Sequence, residues 1–318
     1  LSAPKLTPLE LLTLTGFQLG AIVAHASFRS AWGDGLFLGA LLTLLAVLGA
    51  RTLVREDIPP PGFFLVAAGL LAALAGTTLH LCSNFLELSL PVRRFAELLL
   101  QQGFLLLPIL GVGGFLLPRF YGVKSRHHFD GSYTPPPGWR RRAALASGYG
   151  ALVIAGLAIE AAGAVRLGAL LRVVAVVAFV MLELPLKAMV TRRGALARNL
   201  TLSLLLIAGG YAALAIWPER VLTMEHVVFM CGFALLTLVV ATRVMLGHSG
   251  TEHLFGARLV MFWVASLSIV LGLTSRVAAD FLPEHLISHY GYAALMWAVG
   301  VLVWLIFVLP KAFRAEPD

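Results

Sequence analysis

The chain has 318 residues, 59% of them apolar and only 13% charged, and this excludes a water-soluble domain, in which about a quarter of residues are charged. A mean hydropathy of +0.89 and 31 glycines fit membrane-spanning helices whose small residues let backbones approach closely, whereas a transmembrane barrel would alternate over about ten-residue segments. The net charge of +8 reports on loop orientation in such a chain, and no nucleic-acid motif accompanies it.

A helix needs about 20 apolar residues to cross about 30 Å of hydrocarbon. Ten windows approach that length: 9–28, 35–50, 62–85, 96–118, 143–164, 170–190, 200–217, 221–245, 259–281 and 288–310. The second is short, and Arg166 and Arg172 interrupt the stretch from 143 to 190. Pro108 falls inside the fourth window, and Pro185 kinks the sixth just after Glu183 because it cannot donate a backbone hydrogen bond. An ion pair of Glu183 with Lys187, four residues on, is the ordinary account of that buried acid. The longest polar stretch, 119–142, holds Pro135-Pro136-Pro137 and Arg140-Arg141-Arg142 and reads as a basic loop. The expected fold is therefore all-α, a polytopic integral membrane helix bundle of about ten spans. One membrane domain covers 1–318, with helical groups at about 1–120 and 143–310.

Orientation follows from the basic residues. With the start placed in the cytoplasm, 17 of the 24 Lys and Arg fall on the cytoplasmic side, and the positive-inside rule places both ends there. The expected location is a bacterial inner membrane, with the lipid bilayer as the first partner. Cys82 and Cys231 have no CxxC spacing, so neither a disulfide framework nor a thiolate zinc site is implied.

The same topology sorts the nine histidines. His25, His80, His226, His285 and His289 fall on the outer side; His127, His128, His248 and His253 fall on the inner one. His226 and His248 share one helix but stand about 33 Å apart, so they cannot serve one metal. An imidazole in hydrocarbon needs a partner, and histidine is a common ligand of haem iron and copper. His25, His80, His226 and His289 come from four spans at similar depth, the arrangement in which a bundle holds haem. Cys82 and Met224 add sulfur beside His80 and His226, as do Met230 and Cys231, a mixture of donors that suits copper. Each histidine taken singly is also explained by a hydrogen bond to a neighbouring helix or by interfacial water. Arg243, near the inner end of the eighth span, either clamps a haem propionate or reaches for lipid headgroups.

The eighth span opens on Met224-Glu225-His226, passes Leu236-Thr237-Leu238 and closes on Thr242-Arg243-Val244-Met245-Leu246-Gly247-His248-Ser249-Gly250. A second stretch runs from Gln102-Gly103-Phe104 through Gly111-Val112-Gly113-Gly114-Phe115 to Pro118-Arg119-Phe120. Together these segments resemble the NnrS family of membrane proteins associated with haem, copper and the response to nitric oxide. The resemblance implies cofactor-binding roles for His226 and His248, with Arg243 and Gly247 beside them. It also implies about twelve spans and a His-rich early helix, so a chain shortened at its start is expected. Nitric oxide is the ligand so implied, and a respiratory-chain or second-copy partner goes with it. No catalytic set is identified. Two other classes fit the composition: a transporter or permease, suggested by glycine-rich spans with internal prolines, and a structural or assembly subunit of a respiratory membrane complex.

Overall fold

In the computed structural model, residues 6–27, 30–55, 58–125 and 134–313 are described. The chain is 84% helical, with no strand among the described residues, and ten helices are long and apolar enough to cross a membrane. Two compact units divide it, one holding residues 1–115 and 125–171, the other residues 116–124 and 172–318. His127 and His128 lie outside the described residues.

In the first unit, α1 (Pro8–Ala26) opens on a capping box: Thr7 accepts from the Glu10 amide while the Glu10 carboxylate accepts from that of Thr7. Arg51, in the last turn of α2 (Ser30–Leu53), returns to the same carboxylate at 2.8 Å, pinning the two antiparallel helices at one end. The apolar run expected from 35 thus begins earlier and contains Asp34. α3 (Phe64–Cys82) packs on α2 and against a broken span made of α4 (Leu90–Leu98), a π-helical segment (Leu99–Gly103) and α5 (Phe104–Leu116). A β-carbon at Gly62 would stand 2.6 Å from the Gly111 carbonyl oxygen, so the close approach there requires glycine.

α6 (Trp139–Ala161) completes the unit with the first part of α7 (Val165–Glu183). Glu160 of α6, buried, meets Arg94 of α4 at 2.7 Å. A charge on an apolar helix is held in place only by such a partner.

In the second unit, α7 runs on unbroken past Arg172, which lies fully buried with its guanidinium over the Tyr211 ring. The helix stops at Glu183, and the chain restarts after Pro185 as α8 (Leu186–Thr191). That break overturns the expected Glu183–Lys187 pair: the four-residue register exists only in a continuous helix, and Lys187 is exposed with no ion pair among the described residues. α9 (Ala195–Ile216) packs on a second broken span, formed by α10 (Val221–His226), a π-helical segment (Val227–Phe233) and α11 (Ala234–His248). α12 (Val260–Ala279) and α13 (Leu286–Ala312) form a tightly packed hairpin beside it. Trp304 of α13 donates to Thr242 of α11 at 2.8 Å.

The Arg94–Glu160 pair generates a stability prediction. Replacing Arg94 by Met takes a cation away from a buried carboxylate, and a loss of about 2 kcal/mol is expected, between the values for exposed and for fully buried pairs. Thermal unfolding in detergent measures it, and an unchanged midpoint would show the pair to be incidental.

Candidate functional site

Two histidines predicted from separate spans meet at one end of the first unit. His80, two residues before the end of α3, places Nδ1 2.9 Å from Oδ2 of Asp34, and His25, at the end of α1, places Nε2 3.6 Å from Oδ1. Asp34 is 5% exposed. A carboxylate only accepts, so His80 Nδ1 carries a proton, and in the neutral ring Nε2 is the nitrogen with the lone pair. A carboxylate behind a metal-binding imidazole orients it in this way. The His25 ring lies on Gly33, where a β-carbon would stand 2.6 Å from it. Cys82, at the next position but one after His80, cannot share its helix face.

The remaining outer histidines, His226, His285 and His289, are in the second unit, and the same proton logic applies to His226. His226 Nδ1 is 2.5 Å from the Leu222 carbonyl oxygen on its own helix; the carbonyl must accept, so Nε2 is again left with the lone pair. The Ser275 hydroxyl stands 3.0 Å from both the carbonyl oxygen and Nδ1 of His289. His80 and His226 thus present the same nitrogen.

His226 lines a cavity of about 430 Å³ with Met230, Arg276, Tyr290, Ala293 and Trp297, within the usual range of small-molecule sites. Met230, rather than Met224, supplies the sulfur there; Met224 is buried in the packing. The polar wall is built around Asp280, which accepts from Thr223, from Arg276 at 3.1 Å and from the Tyr290 hydroxyl at 3.1 Å. Arg220 donates to the Asp280 carbonyl at 2.7 Å, so α10, α12 and α13 are tied together beside the cavity. Cys231 is fully buried with its Sγ 3.8 Å from the Ile269 carbonyl oxygen, out of reach of a ligand.

Arg243 and His248 line a different cavity. Roughly 25 Å of helix separates Arg243 from His226, so the two cannot hold one haem. Its guanidinium lies between the rings of Phe120 and Phe255, 4.7 and 4.1 Å from their centres. Among the described residues, no three His, Cys, Asp or Glu side chains stand together as a metal cage.

Asp34, Arg276, Asp280, Tyr290 and Ser275 were missed from the sequence. The Arg276–Asp280 spacing of four was a legible signal, as was an aspartate directly before the apolar run that begins at 35.

A family model described as NnrS protein matches residues 1–315. The chain belongs to the NnrS family. No curated protein and no solved structure matches it. Membership in the NnrS family supports involvement in the nitric oxide response, and the shared length takes in both units and every histidine of the outer group.

The contact of His25 with Gly33 is testable. Gly33→Ala must displace the exposed ring, so it is expected to be less favourable than Gly35→Ala, which meets nothing within 4 Å and is expected to be neutral or slightly stabilising as helix propensity favours alanine. Equal shifts of the unfolding midpoint would contradict this geometry.

Proposed function

We propose that this NnrS-family chain binds haem through Nε2 of His226 and serves the response to nitric oxide from a bacterial inner membrane. The observation that carries the reading is the His226 imidazole, its Nδ1 engaged by the Leu222 carbonyl, on the wall of a cavity that also contains a cation and a phenol. The fit is chemical. An imidazole fixed in this tautomer is the form that ligates iron, Ala293 and Ala294 leave room on the facing helix, and Arg276 and Tyr290 are the groups that would meet a propionate. Trp297 and Met230 provide the apolar, polarisable contact that a porphyrin face takes. Haem iron, when bound with an open position, supplies the site for nitric oxide.

The chain's own residues then have separate tasks. The Leu222 carbonyl holds the imidazole proton, and Asp280 fixes the direction of Arg276 and Tyr290. Copper has less support, because the described residues gather no three protein ligands at one place; His80, backed by Asp34, is the imidazole that offers itself to a second metal. The orientation with both ends in the cytoplasm rests on the distribution of Lys and Arg.

Purified full-length chain in native lipid is expected to show a Soret band with bound iron. His226→Ala should remove most of it, while His253→Ala, on an exposed turn, should leave it intact. Absence of the band in the parent protein, or equal loss in both variants, would overturn the reading.

A further inference from the structure

The end of the second unit opposite His226 carries a cleft that the haem reading leaves unused. Its two lobes, each about 390 Å³, share Arg119, Phe120, Arg243 and Phe255. The first lobe adds Arg192 and Arg193, so four guanidinium groups face one cavity whose lining contains no carboxylate. The second lobe is of another character: Leu116, Val240 and Val244 form its wall, with His248 and Glu252 at its edge. Val244 is 49% exposed on a helix apolar enough to cross a membrane, so this lobe opens towards acyl chains.

Four like charges around one space repel one another and attract an anion. Among the described residues Arg192, Arg193 and Arg243 have no carboxylate at ion-pair distance. Arg243 keeps its guanidinium against two aromatic rings, those of Phe120 and Phe255, which holds the charge at this cavity. Guanidinium forks match phosphate oxygens in pairs, and basic pockets at the ends of membrane helices take lipid head groups.

We propose that this cleft is a binding site for one anionic phospholipid, with its phosphate in the arginine lobe and an acyl chain along Leu116, Val240 and Val244. Charge alone would serve a free phosphate compound equally well; the adjoining apolar lobe is what selects the lipid. The site is built only from residues of the second unit and does not depend on haem.

The test uses the full chain in a neutral detergent, with its unfolding midpoint followed during titration by short-chain phosphatidylglycerol, by phosphatidylcholine of the same chain length, and by pyrophosphate. A saturable rise with phosphatidylglycerol alone is expected. The double variant Arg192→Gln with Arg193→Gln, at exposed positions, should weaken the apparent affinity about tenfold or more, and Arg243→Gln should do the same. Replacing Arg140, Arg141 and Arg142 by Gln removes more charge elsewhere and should change the affinity less than about twofold. An equal rise with phosphatidylcholine, an equal rise with pyrophosphate, or full retention of the effect in the Arg192/Arg193 variant would each overturn the proposal.

Discussion

A carboxylate within or at the end of an apolar helix must be met by donors from the helices around it, and Asp34, inside α2, and Asp280, capping the end of α12, set the arrangement at the histidine-bearing end of each unit. Leaving the buried Asp34 unmatched in a low-dielectric setting would cost several kcal/mol. Asp34 is met by imidazoles from α1 and α3, and Asp280 by a hydroxyl from α10, a guanidinium from the last turn of α12 and a phenol from α13. Each acid therefore does two things: it fixes the mutual position of three helices, and it determines which atoms of the neighbouring side chains remain free for chemistry.

The proton positions follow from the same rule. Two histidines commit Nδ1 to acceptors of the protein itself, a carboxylate for His80 and a backbone carbonyl for His226. Because the acceptors differ while the outcome is the same, the shared placement of the Nδ1 proton comes from local geometry at each site, not from a single motif repeated in the chain.

The number and type of the helices were legible because hydropathy over about 20 residues depends on composition, which any single chain displays. Boundaries were less so. The second span starts before Asp34 because a single acid with two partners is affordable inside a helix, and no window average carries information on partners. Pro185 was read as a kink within the sixth span, whereas α7 ends at Glu183 and the chain restarts as α8, and the pair drawn across it failed for that very reason. The histidines could be assigned to one end by topology, but Arg276 and Tyr290 belong to the site through contacts between α12 and α13 that no spacing along the chain encodes. Arg243 could be singled out, but not its placement between Phe120 and Phe255, which come from distant parts of the sequence.

Both units contain a span interrupted by a π-helical segment, and in the second unit that segment begins at the residue after His226. A π turn accommodates one residue more than an α turn, and one residue corresponds to about 100° of rotation about the helix axis. The seven residues Val227–Phe233 accordingly act as a fixed angular offset between the imidazole and the arginine end of the same span. Side chains there can drift in evolution, but the tally of positions cannot change by one without pointing one end or the other at the wrong neighbour.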